Sequence, residues 1–129
     1  MIVAVGTDLV EVERIRTAVE NPRTGERFRA RVYTDSEVAY CTRRRRPAES
    51  FAARFAAKEA VMKALGRGYF DGIAWRDIEV ARGEEQPAVV LYGRARERAV
   101  ALGITRWHLA LSHTATHAVA FVVAESDDR

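Results

Sequence analysis

Two acidic residues that lie far apart in the sequence, Asp8 and Glu59, are the strongest candidates for chemistry in this chain of 129 residues. Glu59 belongs to a stretch whose spacing predicts a helix. On that helix it shares a face with the apolar side chains of Phe51, Phe55, Met62 and Leu65. The pattern therefore predicts that the Glu59 carboxylate points inward. An unpaired buried carboxylate is costly, so a cation or strong hydrogen-bond donors should face it.

Lys63, four residues after Glu59, is the simplest partner for this carboxylate. A Glu–Lys pair at that spacing stabilises a helix by about 0.2–0.5 kcal/mol, whereas burying an ion costs several kcal/mol. The pair is too weak to offset the burial, so a metal ion is the stronger partner. The alternative is that Glu59 lies at the rim of the apolar face and reaches water.

Asp8 follows a short apolar strand expected over residues 2–6 and is the second candidate ligand. It could instead be the N-cap of a helix that runs to about Glu20, with Glu11 in a capping-box position. Carboxylate ligands without His or Cys spacing favour Mg²⁺, which completes its shell with water and substrate phosphates. If the fold brings Asp8 and Glu59 together, the sequence predicts a Mg²⁺ site suited to phosphate chemistry.

The helices and strands that must position these residues have clear boundary signals. The segment from Thr34 to Glu37 matches a capping box, and the helix that it begins should end in the run Arg43 to Arg46. Pro47 suits the first position of a long helix over about 48–65, and Gly66 suits the position after it. Later segments predict a helix over 94–102 and strands over 78–81, 88–92, 107–111 and 118–124. This order predicts an α+β fold with an antiparallel sheet.

Bulk properties agree with one domain over residues 1–129, because no repeat or linker divides the chain. The single Cys41 and the lack of an export signal favour the cytoplasm. The net charge is +3, and most of the basic residues are arginines, which suit the recognition of phosphate or carboxylate. A nucleic-acid-binding module is the alternative that the run Arg43 to Arg46 raises, but no zinc spacing or recognition helix accompanies it. We expect neither a nucleic acid nor a membrane as a partner.

Three blocks of this sequence resemble the signature of the holo-acyl-carrier-protein synthase family. They are Val5 to Ile15, Arg54 to Gly66, and Leu111 to Thr114 followed by Ala118 to Ala120. The blocks occur in the order that the family shows, and the resemblance extends from Ile2 to about Glu125. It implies the 4'-phosphopantetheinyl transferase fold, in which an antiparallel sheet packs with a long central helix. It also implies a homotrimer with active sites at the subunit interfaces.

The activity that this resemblance implies is a Mg²⁺-dependent transfer of 4'-phosphopantetheine from coenzyme A to a serine of apo acyl carrier protein. The other product is adenosine 3',5'-bisphosphate, and the reaction supports fatty acid biosynthesis. The resemblance implies Asp8 and Glu59 as metal ligands, and Lys63 beside them as a catalytic residue at the phosphates. The coenzyme-binding residues that it implies are Arg54, Phe55, Lys58, Lys63, Gly66, Ser112, His113 and Thr114. The residues that it implies for carrier docking are Arg14, Arg27 and Phe28.

Some questions stay open at this point. The group that takes the serine proton could be a metal-ordered water, Lys63, His113 or Glu59. Some relatives carry an acidic residue where this chain has Thr114, which argues against a carboxylate base there. Phe55 could equally be part of the core. A broad-specificity transferase for peptide-synthetase carriers resembles two such units fused, and a non-catalytic scaffold would need neither carboxylate.

Overall fold

The computed structural model describes residues 1–83 and 86–127, apart from the side chain of Phe70. The elements occur in the order β1 (Ile2–Glu11), α1 (Val12–Glu20), α2 (Gly25–Val32), α3 (Asp35–Thr42), α4 (Pro47–Leu65), β2 (Ile78–Arg82), β3 (Pro87–Leu91), α5 (Gly93–Ala101), β4 (Arg106–His113) and β5 (His117–Glu125). Two short 3-10 turns lie between α4 and β2, at Tyr69–Asp71 and Trp75–Asp77. The predicted α+β class is confirmed.

Two antiparallel sheets are formed, one with the strand order β1-β5-β4 and one from the β2-β3 hairpin. In the first sheet Asp8 pairs with Ala120 and Gly6 with Val122. The sheet packs its inner face against α4, and small residues such as Ala120 and Ala124 on that face are fully buried. The predicted antiparallel pairing is therefore confirmed, and the carboxylate of Asp8 belongs to a strand rather than to a loop.

Helix α4 is the centre of the core, because almost every residue along it is buried, including seven of its alanines. The sequence predicted that one face of this helix is buried, but the structure buries it on nearly all sides. After the first residue, Pro47, the members that are not fully buried are Arg54, Glu59 and Lys63. Glu59 is half-buried, so it lies at the side where α4 opens to solvent rather than in the interior.

Gly6 allows β1 to approach α4 closely. A Cβ at this position would lie inside contact distance of the Ala60 carbonyl oxygen and 3.1 Å from the Ala64 backbone nitrogen. Both neighbours are backbone atoms, which cannot rotate away as a side chain can. The absence of a side chain at Gly6 therefore sets the distance between the strand that carries Asp8 and the helix that carries Glu59.

The boundary signals around α3 and α4 are confirmed. The Thr34 side chain accepts a hydrogen bond from the Glu37 amide, and the Glu37 side chain accepts one from the Thr34 amide, which completes the capping box. Pro47 opens α4, and Gly66 ends it in the left-handed conformation at φ 67°. Helix α3 ends at Thr42, so the run Arg43 to Arg46 forms the turn after the helix and not its last turn.

Two predictions for the N-terminal part were wrong. Asp8 is not an N-cap, because β1 continues through Glu11 with antiparallel partners on β5 and α1 begins only at Val12. Glu11 occupies the N-cap position without a side-chain hydrogen bond to the helix. The helix α2, at Gly25–Val32, was not predicted.

The outer face of the first sheet is apolar and exposed. Leu9 and Val5 on β1 are 65% and 54% exposed, and Phe121 and Val119 on β5 are 46% and 36% exposed. These residues are neighbours across the ladder, since Leu9 pairs with Val119 and Thr7 with Phe121. We call Val5, Leu9, Val119 and Phe121 the outer apolar face. A separate search of the described residues finds no helix with the length and apolar character needed to span a membrane.

Candidate active site

The fold brings Asp8, Glu59 and Lys63 together where β1 crosses the C-terminal half of α4. Lys63 Nζ donates to Asp8 Oδ1 at 3.0 Å and to the Thr7 carbonyl oxygen at 3.0 Å. Lys63 thus binds the acid on the strand, and not the acid four residues earlier on its own helix as the helical pairing supposed. The three side chains form one cluster with two carboxylates and one ammonium group.

The electrostatics of the cluster show that the two acids are close. Burial raises the pKa of Glu59, and the neighbouring carboxylate of Asp8 raises it further. The charges of Lys63 and Arg14 act in the opposite direction and lower the pKa of Glu59. The net rise means that the nearby cations do not fully compensate the negative charge of Glu59. An additional cation beside the two carboxylates would remove this imbalance.

The donor set fits Mg²⁺ rather than a transition metal. Two carboxylates supply hard oxygen ligands, and Mg²⁺ is commonly held by one or two carboxylates with water and phosphate oxygens in its other positions. Within residues 1–83 and 86–127, no group of three or more His, Cys, Asp and Glu side chains could enclose a metal. The cluster therefore suits a cation that a phosphate substrate helps to bind.

A cavity of about 440 Å³ opens beside this cluster. Glu59 and Lys63 line it on the side of the cluster, Arg67 and Asp71 add further charged groups, and Met62, Tyr69 and Trp75 line its apolar part. Behind the cavity, the ring of Phe55 stacks on Trp75 with centroids 5.1 Å apart, and Phe55 is only 7% exposed. Gly66, which ends α4, also lines the cavity. The cavity can accept a chain that carries both charged and apolar parts.

A second group of predicted residues lies in a different region. Arg54 and His113 line two adjoining cavities of about 350 and 210 Å³, and Arg44, Arg45 and Arg46 line the smaller one. The guanidinium of Arg54 lies over the ring of Tyr40 at 4.3 Å, and its Nε is buried without a hydrogen-bond partner among the described residues. This region presents several cations to an anionic ligand.

Ser112 and Thr114 flank His113 at the end of β4 and are exposed. The hydroxyl oxygen of Thr114 accepts hydrogen bonds from the amides of Thr116 and His117 at 3.2 and 3.1 Å, which closes the turn into β5. Thr114 therefore stabilises the turn between β4 and β5. A coenzyme contact for Ser112 or Thr114 stays a prediction.

Lys58 does not reach either cavity. Its side chain has no exposed surface, its ammonium lies 2.7 Å from Glu37 Oε1, and it donates to the carbonyl oxygens of Trp75 and Ile78. Burial lowers the pKa of Lys58, while the Glu37 carboxylate acts to raise it. The expected direct coenzyme contact is wrong for this conformation. Lys58 instead ties α4 to α3 and to the turn that carries Trp75.

The three residues predicted for carrier docking lie on α1 and α2. Arg14 is exposed on α1, with its guanidinium 5.9 Å from the Phe55 ring, and its charge acts on Glu59. Arg27 is exposed on α2. Phe28 is half-buried, with its ring edge-on to Tyr33 at 6.2 Å. Arg14 thus lies beside the cluster of Asp8, Glu59 and Lys63, whereas the docking role of all three stays a prediction.

Sequence reasoning missed two residues that shape these regions. Glu49 is buried, and its Oε1 lies 2.9 Å from His113 Nδ1. No local pattern points to this contact, because the partners are 64 residues apart. Gly6 did carry a signal, since a glycine inside a strand often marks a close backbone approach.

The geometry and the comparisons with known proteins agree on the class of this protein. The family model of the 4'-phosphopantetheinyl transferase superfamily matches residues 4–122, and the chain belongs to that superfamily. Its full-length relatives are holo-[acyl-carrier-protein] synthases, as the sequence resemblance implied. The protein of Koribacter versatilis is 47% identical over 126 residues, which cover 97% of this chain and 99% of the relative. The protein of Desulforudis audaxviator is 50% identical over 125 residues, which cover 96% of this chain and 93% of the relative.

A solved structure supports the same conclusion about the fold. The Helicobacter pylori holo-[acyl-carrier-protein] synthase in complex with coenzyme A superposes with a TM-score of 0.80 and 30% identity. The match covers 94% of this chain and 99% of that one. The likeness therefore extends over nearly the whole of both chains.

Proposed function

We propose that this protein is a holo-acyl-carrier-protein synthase, which transfers 4'-phosphopantetheine from coenzyme A to a serine of apo acyl carrier protein and releases adenosine 3',5'-bisphosphate. The observation that carries the proposal is the meeting of Asp8, Glu59 and Lys63 beside a mainly apolar cavity. The two named relatives that match the whole chain bear the same name. In the cell, the product serves fatty acid biosynthesis in the cytoplasm.

In this proposal Asp8 and Glu59 would hold Mg²⁺, which supplies positive charge to the phosphate oxygens of coenzyme A during the transfer. Lys63 adds a second positive charge to the same oxygens, because its side chain is 56% exposed and can turn from Asp8 toward the cavity. The apolar side chains of Met62, Tyr69 and Trp75 line the cavity beside these groups. The proton acceptor for the carrier serine stays open among the groups at this cluster and His113.

We further propose that coenzyme A is shared between the two cavity regions, with the arginine-lined region contributing from a neighbouring subunit. Arg54 supports this role, because its buried Nε lacks an acceptor that an anionic ligand would supply. Gly66 and Phe55 would then belong to the phosphate side, with Phe55 acting through its stack on Trp75. Ser112 and Thr114 would act on the side of His113.

A homotrimer is the assembly that we propose, and the outer apolar face supports it. The exposed side chains of Leu9, Val5 and Phe121 lie on one continuous sheet surface that no described part of the chain covers. Burying such a surface is favourable by about 25 cal/mol per Å². Light scattering should give three times the chain mass. Phe121→Glu should yield a monomer with reduced transfer, and a monomeric wild-type chain would reject the assembly.

Carrier docking is proposed for Arg14, Arg27 and Phe28, because a cationic surface beside the cleft complements the acidic helix of an acyl carrier protein. Arg14→Glu should raise KM for the carrier more than KM for coenzyme A. The matched control is Arg96→Glu on α5, which makes the same charge change on another exposed helix. Equal rises in both KM values for Arg14→Glu would place this residue in the catalytic cluster instead.

The experiment that tests the function is incubation of the protein with coenzyme A, Mg²⁺ and apo acyl carrier protein, followed by mass spectrometry of the carrier. We expect a mass gain of one phosphopantetheine group that EDTA prevents. Modification of peptide-synthetase carriers at a comparable rate would favour the broad-specificity transferase. No mass gain with any carrier, together with salt-dependent binding to random duplex DNA, would favour the nucleic-acid module.

A further inference from the structure

Glu49 is a buried acid that the catalytic cluster does not use. It lies in the first turn of α4, where the positive end of the helix dipole favours a carboxylate. Its side chain is only 8% exposed, so an ionised form needs specific partners. Two partners are present: Nδ1 of His113 at 2.9 Å from Oε1, and Nη1 of Arg46 at 3.5 Å from Oε2. The carboxylate therefore joins the turn after α3 to the end of β4.

The contact with His113 fixes the state of the imidazole ring. An ionised carboxylate only accepts hydrogen bonds, so the proton between the two groups must be carried by Nδ1. The opposite ring nitrogen, Nε2, then points away from Glu49, and it has no hydrogen-bond partner among the described residues. His113 lines both arginine-rich cavities, so Nε2 is the atom that is available to a ligand there. A buried carboxylate behind a histidine commonly determines both tautomer and ring orientation.

We propose that Glu49 is a positioning residue for coenzyme binding, which acts by holding the Nδ1 proton of His113 so that Nε2 faces the arginine-lined cavities. The inference rests on the proposed function, in which His113 contacts the coenzyme. A free histidine at this place would rotate and exchange its proton between the two nitrogens. Glu49 removes that freedom before the ligand binds, which lowers the entropic cost of binding.

The first test measures the tautomer of the His113 ring directly and does not depend on enzymatic turnover. In the ¹⁵N-labelled protein, two-dimensional NMR of the imidazole nitrogens should show the His113 proton on Nδ1. Glu49→Leu, which removes the acceptor, should shift His113 to an exchanging mixture with Nε2–H. Glu49→Gln should retain Nδ1–H, because the amide oxygen can still accept. An unchanged His113 spectrum in Glu49→Leu would overturn the proposal.

The second test reads coenzyme binding through a double-mutant cycle. Glu49→Leu should raise KM for coenzyme A about tenfold, the effect of one charge-assisted hydrogen bond, with kcat nearly unchanged. Glu49→Gln should show a smaller rise, and Glu97→Gln, an exposed acid on α5, should show none. In a His113→Ala background, Glu49→Leu should have no further effect. The same tenfold rise in that background would show that Glu49 acts without His113 and would refute the inference.

The two tests separate this inference from the proposed function. If the wild-type protein modifies no carrier, the proposed function fails, while the NMR experiment still decides whether Glu49 sets the His113 tautomer. If Glu49→Leu does not fold by circular dichroism, Glu49→Gln supplies the answer. If Glu49→Gln keeps the proton on Nδ1 of His113 but has a KM for coenzyme A as high as that of His113→Ala, Glu49 does not act by orienting the ring.

Discussion

Gly6→Ala is the perturbation that tests most directly how the fold positions the site. The new Cβ would lie 2.9 Å from the carbonyl carbon of Ala60 and 3.1 Å from the backbone nitrogen of Ala64, with the Ala60 oxygen closer still. Nonbonded carbon atoms pack at about 3.5 Å or more, so relieving the contact with the Ala60 carbonyl carbon separates β1 from α4 by about 0.6 Å, and the closer Ala60 oxygen requires a larger shift. Backbone atoms on both sides of the contact leave no rotamer change that could absorb this shift.

Two magnitudes follow from this displacement. Overpacking of this kind costs about 1–3 kcal/mol, which corresponds to a melting temperature lower by about 3–15 °C for a chain of this length. The same movement carries the Asp8 strand away from the Glu59 helix. A misplacement approaching 1 Å reduces catalysis by up to about 100-fold, so we expect transfer to fall by about 10- to 100-fold in protein that is still folded.

The assay combines thermal unfolding by circular dichroism with the initial rate of carrier modification by mass spectrometry, measured well below the melting temperature of the variant. Gly68→Ala is the matched control for stability, because its added methyl would have Met62 Sδ as its nearest neighbour at 4.0 Å. Its melting temperature should equal that of the wild type. A Gly6→Ala protein with wild-type stability and wild-type transfer would refute the claim that this glycine sets the strand–helix distance.

Three further predictions concern charged groups. Glu59→Gln should abolish transfer yet melt no lower than wild type at pH 7 in EDTA, because burial and Asp8 raise the pKa of Glu59 and so disfavour its ionised form. Lys58→Met should cost about 3–5 kcal/mol in urea unfolding by leaving the Glu37 carboxylate buried without its cation, and a second change, Glu37→Gln, should recover part of the loss, because it removes the charge while its amide oxygen still accepts a backbone hydrogen bond. Glu125 has a pKa lowered to about 2 by hydrogen bonds from His108 and Arg106, so its stabilising effect is present above pH 4.5 and is lost as the pH falls toward 2. Urea midpoints of Glu125→Gln should therefore lie below wild type at pH 6 and converge with it as the solution is acidified.

The sequence predicted best where local chemistry alone decides the structure. The capping box at Thr34 and the bounds of α4 depend on contacts within a few residues, and these signals were correct. The helix α2 was missed because it is short and begins at Gly25, which is a poor helix former. Gly25 is tolerated there because it packs against the Val19 backbone, a tertiary contact that no local pattern reveals.

Strand β1 was predicted too short for a related reason. Its outward-facing residues Val5 and Leu9 are as apolar as the inward-facing Val10, so the alternation that marks a half-exposed strand is hidden. An apolar run followed by Asp8 then resembles the end of a strand. The polar outer face that would have identified the strand is missing at the surface for which we propose subunit contacts.

The arrangement of the candidate site depended on distant partners. Lys63 binds Asp8, 55 residues away, in preference to the carboxylate one helical turn before it. Lys58 is of a residue type that commonly binds phosphate, but in the fold it pairs with Glu37 in the core. Residue types and family resemblance named Asp8 and Glu59 as candidate metal ligands, while the finding that Lys63 lies at the surface beside them and Lys58 lies in the core required the fold. The sequence alone does not distinguish Lys58 from Lys63, whereas their burial in the fold does.

Helix geometry explains why the residues of the block Arg54 to Gly66 lie in two regions, the cluster with Asp8 and the arginine-lined cavities. Successive residues of an α-helix are rotated by about 100°, so Glu59 and Lys63 lie within about 40° of each other, while Arg54 and Glu59 are about 140° apart. One α4 cannot turn both Arg54 and Glu59 toward the same short phosphate chain. If both regions bind one coenzyme, as we propose, the cluster of Asp8, Glu59 and Lys63 and the arginine-lined cavities must approach it from different copies of α4. This requirement is met if two copies of the chain face each other across the ligand, which is the arrangement that the proposed trimer provides.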